Sequence, residues 1–139
     1  MIDICQGIKN VILSNLQLIL SLRGTRRYKS DGTFVSDGDL LCQKLIFEWL
    51  NDNLQNYLVF SEESINDVSK IAENKTIITI DPIDGTENFV SGLKEWGVGV
   101  SVYVDGKHHQ SMLLLPELNE CLMTGDKVER FDNSRICGL

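Results

Sequence analysis

The sequence predicts an α+β fold in which two N-terminal helices pack on a largely antiparallel sheet. Three observations predict it. Two N-terminal segments carry apolar residues at helical spacing, the later segments are β-branched or alternate between apolar and polar residues, and short turns join most of those later segments. Helices segregated from a meander of strands belong to that class. At 139 residues the chain is long enough to fold as one domain, and no internal repeat, low-complexity tract or linker divides residues 1–139.

Ile4, Ile8, Val11, Ile12, Asn15, Ile19 and Leu22 recur at steps of three and four, so the first segment is a helix with one largely apolar face that stops near Gly24. Asp3, Gln6, Lys9, Asn10, Asn15 and Gln17 interrupt the apolar run, no basic region precedes it and no small-residue cleavage site follows it. It therefore reads as a soluble helix, not a signal peptide or membrane span. Residues 23–36 are basic, then Gly- and Ser-containing, and read as a loop. Ser36 opens the second helix. Asp39 follows three residues on in a near capping-box arrangement, Leu41, Leu45 and Trp49 supply the apolar positions, and "NDN" at 51–53 ends it.

The strands follow. "YLVF" at 57–60 is a short buried strand, "SEESINDVSKIAENK" a polar loop, and "TIITI" at 76–80 a second strand. Val98, Val100, Val102 and Val104 alternate along a third, Asp105-Gly106 is a hairpin turn, and the return strand runs from His109 to Leu115, where Pro116 stops it. Glu120 to Thr124 supplies another strand, with a further one around 128–131.

A net charge of -7 argues against a sequence-independent nucleic-acid binder, because neutralising phosphates needs clustered Lys and Arg, and the one basic cluster, Arg23 to Lys29, is short. An acidic protein that handles phosphates needs metal ions or backbone N–H groups at the site. Cys5, Cys42, Cys121 and Cys137 lie far apart without zinc spacing and read as reduced thiols of a cytoplasmic protein. His108 and His109 flank the hairpin turn and are expected to be exposed.

The stretch "DPIDGTENF" at 81–89 sets Asp81 and Asp84 around Pro82 and follows them with Gly85 and Thr86. Read alone, Asp-Pro and Asp-Gly make a β-turn with two solvated carboxylates. The motif, however, leaves the apolar strand "TIITI" directly, so Asp81 stands beside the core, where a carboxylate costs free energy unless paired, hydrogen-bonded or metal-bound. A proline-fixed bend can bring Asp81 and Asp84 to the same side with the Ile83 carbonyl between them. Such hard oxygen donors suit Mg²⁺, which takes one or two carboxylates plus water and substrate phosphate. Gly85 permits close approach to the backbone, and Thr86 offers a hydroxyl and an N–H at the start of a helical turn. "SEES" at 61–64 follows the other core strand. Glu62 or Glu63 reaches the same cleft if the two strands are neighbours, and otherwise faces solvent. Asp39 fits this cluster or, equally, is an acid favoured by the helix dipole.

With "VSDGD" at 35–39, "VFSEES" at 59–64 and "IDPIDGTENFVSG" at 80–92 in that order, the sequence resembles the inositol monophosphatase family of Mg²⁺-dependent, Li⁺-sensitive phosphatases. The resemblance implies that Glu62 binds metal, Asp81 bridges two Mg²⁺ ions, the Ile83 carbonyl binds the first and Asp84 the second. It further implies that Gly85 and Thr86, beside Asp84, hold the substrate phosphate through backbone N–H groups, while the Thr86 hydroxyl and Asp39 orient the attacking water. Glu63 matches the second acid of the family's pair and receives no metal role. One Mg²⁺ would acidify the water and the other would stabilise charge on the leaving oxygen.

The resemblance covers nearly the whole chain but only the N-terminal half of a family member, whose second half adds a metal-binding Asp in a Trp-Asp motif. Here Trp49 precedes Leu50 and Trp96 precedes Gly97, so weak binding of the second metal and little selectivity among phosphate esters are expected. Residues 1–139 are accordingly read as the metal-binding half of such a phosphatase. Three functions follow: hydrolysis of inositol monophosphate or a similar small ester, hydrolysis of a 3'(2'),5'-bisphosphate nucleotide, which "FSEES" also resembles, or a truncated domain that binds metal or a partner subunit without turnover. The implied partners are a small phosphorylated substrate and a second copy of the chain, with neither a nucleic-acid polymer nor a membrane.

Overall fold

A computed structural model describes residues 2–61, 76–124 and, as backbone, 129–130. Helices α1 (Ile4–Ser14), α2 (Leu16–Ser21) and α3 (Asp37–Asn53) precede a sheet in the order β3-β4-β5-β6-β7-β8, and a separate two-stranded ribbon β1-β2 lies between α2 and α3. The strands are β1 (Arg26–Tyr28), β2 (Phe34–Ser36), β3 (Tyr57–Ser61), β4 (Thr76–Asp84), β5 (Gly97–Val104), β6 (Lys107–Leu115), β7 (Glu120–Met123) and β8 (Glu129–Arg130). A short helix α4 (Thr86–Val90) follows β4, and a 3-10 turn at Pro116–Leu118 follows β6. The expected α+β architecture is present. β3 and β4 are parallel, and every other pairing is antiparallel.

Local sequence explains the helix ends. The Asp3 side chain accepts from Gln6 N at the start of α1. The expected single first helix breaks at Asn15, whose side chain donates to the Val11 carbonyl and competes with the backbone ladder. Ser36 caps α3 in a full capping box with Asp39. α3 is deepest along Cys42, Ile46 and Leu50, one position on from the expected Leu41, Leu45 and Trp49, which are half-buried against the same core. The shift arises because α3 packs on α1 and β4 at once. At Gly7 a Cβ would lie 1.9 Å from the Trp49 ring, so a residue without a side chain lets α1 and α3 approach this closely.

One face of the sheet carries the core. Ile78, Ile80, Val98, Val100, Val102, Met112, Leu114 and Cys121 point toward Ile4, Ile8, Ile12, Ile46 and Leu50 of the helices. Asp105 and Gly106 both have positive φ, 51° and 77°, the tight hairpin geometry that Asp-Gly favours. Residues 23–36, read as a loop, contain the β1-β2 ribbon. Its strands are three residues each and β1 is fully exposed, so no apolar alternation announces them. The polar loop expected after β3 lies outside the described residues.

Candidate metal and phosphate site

The site is built on an irregularity in β4. Asp81 pairs with Gly99 and Asp84 with Gly97, so Pro82 and Ile83 together stand opposite Val98 alone, as in a β-bulge. Residues three apart on a regular strand point to opposite faces. The extra residue re-phases the strand. Asp81 and Asp84 then oppose glycines two positions apart and lie on the same face, away from the helix-packed core. Pro82 tolerates this place because it has no N–H to give the ladder. Ile83 is 1% exposed and anchors the bulge from beneath. The Asp-Pro and Asp-Gly pairs are thus a bulged strand end, not a free β-turn.

Gly85 ends the strand with φ 89° and is the N-cap residue of α4, a left-handed conformation that other residues adopt only with strain. A Cβ there would also lie 3.2 Å from the Glu95 carbonyl oxygen. The chain then turns so that the Thr86 hydroxyl is 2.9 Å from Asp39 Oδ1 and 3.2 Å from the Ile83 carbonyl oxygen. Asp39 is 1% exposed. Its other oxygen, Oδ2, accepts from Ser36 N at 3.0 Å and from the Ser36 hydroxyl, while Asp39 N donates to Ser36 Oγ at 3.1 Å. The buried carboxylate is therefore a helix cap on one oxygen and the partner of Thr86 on the other. Burial and the Asp39 charge push the neighbouring Cys42 thiol up from its ordinary range, so Cys42 is an inert core thiol.

Asp81, Ile83, Asp84, Gly85, Thr86 and Glu87 line one cleft of ≈ 380 Å³ together with Gly32, Thr33 and Phe34. The ribbon residues were not among the sequence candidates, since nothing in their local pattern ties them to residue 81. Three acids and no base stand among these lining residues, so an anion entering the cleft needs a cation between itself and the wall. Two nearby arginines have other partners: Arg27 is 3.0 Å from Asp37, and Arg26 lies 4.7 Å over the ring of Phe34. Among the described residues no group of three or more His, Cys, Asp or Glu comes together to hold a metal. Two same-face carboxylates beside a carbonyl nevertheless fit Mg²⁺, which keeps several waters and recruits substrate oxygens. β3 ends at Ser61, which pairs with Ile80, the residue before Asp81, so the two core strands are neighbours as the acidic-cluster reading required. Glu62 and Glu63 lie outside the described residues.

Behind the cleft, Arg23 makes a cluster of contacts that sequence reasoning missed. Arg23 Nε donates to the Phe89 carbonyl at 2.8 Å and Nη2 to the Leu93 carbonyl at 2.9 Å. Its Nη1 and Nη2 reach the Glu117 carboxylate at 3.2 and 3.0 Å. The Trp96 indole N–H donates to Glu117 Oε2 at 2.7 Å. Burial pushes the Glu117 carboxyl up, but the hydrogen bonds from Arg23 and Trp96 outweigh it and hold the group below its ordinary range.

Comparison with known proteins identifies the family. The sequence model of the inositol monophosphatase family matches residues 2–133. The chain is 34% identical over 90 residues to a Streptomyces griseus protein named glucose-1-phosphate thymidylyltransferase, covering 65% of this chain and 34% of that one. It is 30% identical over 95 residues to the putative Nus factor SuhB of Neisseria meningitidis, covering 68% of this chain and 36% of the relative. A crystal structure of an IMPase/NADP phosphatase complexed with Mg²⁺ and phosphate superimposes with a TM-score of 0.75 at 22% identity, covering 91% of this chain and 48% of that one. The chain thus spans about a third of the length of these curated relatives and about half of the superimposed structure. With the fold shared and the family model matched along almost its whole length, the chain belongs to the inositol monophosphatase family.

Proposed function

We propose that residues 1–139 form a single domain carrying the metal- and phosphate-binding half of a Mg²⁺-dependent phosphomonoesterase, with inositol monophosphate or a similar small ester as substrate. The observation that carries this reading is the bulge that sets Asp81 and Asp84 on one face of β4, in a cleft that also contains Thr86. In this reading Asp81, the Ile83 carbonyl and Asp84 hold Mg²⁺, with Glu62 as a further carboxylate. The ion, when bound, supplies charge neutralisation at the phosphate oxygens and acidification of water. The backbone N–H groups of Gly85 and Thr86 hold the substrate phosphate. Because the Thr86 hydroxyl proton is directed to Asp39, a lone pair on Thr86 Oγ is left to accept a hydrogen bond from the attacking water. Asp39 keeps that oxygen in place and draws the proton density toward a buried carboxylate.

One feature favours a second reading: the only acids lining the cleft among the described residues are Asp81, Asp84 and Glu87, and a domain that binds metal without turnover fits that short donor set. The superimposed neighbour is an IMPase/NADP phosphatase, which supports a nucleotide as the alternative ester. The deciding assay is Mg²⁺-dependent phosphate release by the purified chain from inositol monophosphate and from adenosine 3',5'-bisphosphate, with Asp81→Asn as control. Release abolished by that change supports a phosphomonoesterase, and the preferred substrate identifies its class. Mg²⁺ binding without release from either ester leaves the binding domain as the correct reading. Neither binding nor release overturns both.

A further inference from the structure

The Arg23–Glu117 pair lies outside the cleft, yet its hydrogen bonds lead back toward the Asp39–Thr86 hydrogen bond. Arg23 holds the carbonyls of Phe89 and Leu93, the first in the last turn of α4 and the second just beyond that helix. A guanidinium at a helix C-terminus also complements the local dipole. The Phe89 side chain is fully buried and is gripped from two directions. The Arg23 guanidinium carbon lies 5.1 Å from its ring centroid, and the Trp96 ring meets it edge-on at 5.0 Å. On its remaining side the Phe89 ring presses on Gly38, where a Cβ would lie 2.5 Å from Cε1. Gly38 immediately precedes Asp39 in the first turn of α3. Trp96 in turn abuts Gly85, where a Cβ would lie 3.5 Å from Trp96 Cα.

We propose that Arg23, locked by Glu117, is a positioning residue that fixes α4 against the first turn of α3 and so sets the Thr86–Asp39 geometry. The path is continuous: Glu117 orients the guanidinium and the Trp96 indole, these two seat Phe89, and Phe89 fixes the spacing between Gly38 and Gly85 on which the two reacting side chains ride. The Arg23 and Glu117 side chains are 23% and 12% exposed, so the bidentate pair is sheltered from solvent and holds its shape. A lysine cannot replace this arrangement, since one ammonium does not span two carbonyls and both carboxylate oxygens in a fixed plane. The catalytic part of the proposal rests on the phosphomonoesterase reading, whereas the structural part does not.

The test compares the full 139-residue chain with Arg23→Lys and Glu117→Gln. Backbone and indole ¹H–¹⁵N spectra are recorded without ligand, and Mg²⁺-dependent hydrolysis of inositol monophosphate is measured alongside. The Trp96 indole signal is expected to move in both variants, together with the amides of Gly85, Thr86 and Asp39, while those of Val102 and Met112 in the sheet stay in place. Where the wild-type chain turns over, kcat is expected to fall about tenfold to a hundredfold with KM within about twofold, the mark of misplacement and not of lost binding. A Trp96 indole shift with unmoved Thr86 and Asp39 amides overturns the proposal, as does an unmoved indole. Absence of turnover by the wild-type chain counts against the phosphomonoesterase reading alone, and the spectra still decide the clamp. Glu117→Gln keeps side-chain shape and carries the test if Arg23→Lys does not fold.

Discussion

The Thr86 hydroxyl lies 2.9 Å from Asp39 Oδ1 across 47 positions of sequence, joining the end of a bulged strand to the first turn of a helix. The other Asp39 oxygen accepts from Ser36, which fixes the carboxylate plane and aims Oδ1 at Thr86. Removing the Thr86 hydroxyl leaves a buried carboxylate oxygen without that donor. Thr86→Ala is expected to cost about 1–3 kcal/mol of stability and to abolish any phosphate release, whereas Thr86→Ser retains most of both. Thermal melts paired with the phosphate-release assay check this. Equal behaviour of the two variants refutes it.

Gly38 is expected to be as sensitive as a catalytic residue although it touches no substrate. An added methyl would lie 2.5 Å from Phe89 Cε1, and the ring is fully buried. Gly38→Ala forces Phe89 or the first turn of α3 to move, with a stability loss of about 1–3 kcal/mol read as a lowered denaturation midpoint. A midpoint equal to wild type would show that the ring has room to retreat.

Glu117 makes folding stability depend on pH with a definite sign. Its folded-state carboxyl is held below the ordinary value of 4.5, so the stabilisation is present above that value and is lost as pH falls through the folded-state pKa. Thermal melts of the wild-type chain and of Glu117→Gln between pH 6 and pH 3 are expected to differ most at the upper end and to converge at the lower. A constant difference across the range contradicts the assignment.

How much of this was legible in the sequence depends on the range of the interaction concerned. Ser36-x-x-Asp39 announced a helix start because a capping box is contained in four residues, and Asp105-Gly106 announced its hairpin for the same reason. Asp81, Asp84, Gly85 and Thr86 were recognisable as a group because they are neighbours in sequence. Their disposition was not. Whether "DPID" is a turn or a bulge depends on Gly97 and Gly99, which set the register from another strand. Arg23 was unreadable for a stronger version of that reason, since its partners stand 66, 70 and 94 positions away and its neighbours form an ordinary basic run. The break at Asn15 turned on one side-chain hydrogen bond competing with a helix that the apolar spacing favoured throughout.

The same-face placement of Asp81 and Asp84 predicts how the chain responds to Mg²⁺. A divalent ion held by two carboxylates on one face is attracted to both of them. A ligand that binds the folded state alone raises the melting temperature, by an amount that grows with its concentration relative to Kd. The wild-type chain is therefore expected to melt several degrees higher at saturating Mg²⁺ than with chelator, about 2.7 kcal/mol of stabilisation at a hundredfold excess over Kd. Asp81→Asn removes the charge while keeping the shape, so it weakens the hold on the ion, and its melting temperature is expected to be insensitive to Mg²⁺. Differential scanning calorimetry with a Mg²⁺ titration measures both effects at once. A wild-type chain indifferent to Mg²⁺, or an Asp81→Asn variant that responds as fully as wild type, would remove the carboxylate pair from the metal site and leave the bulge as a feature of the strand alone.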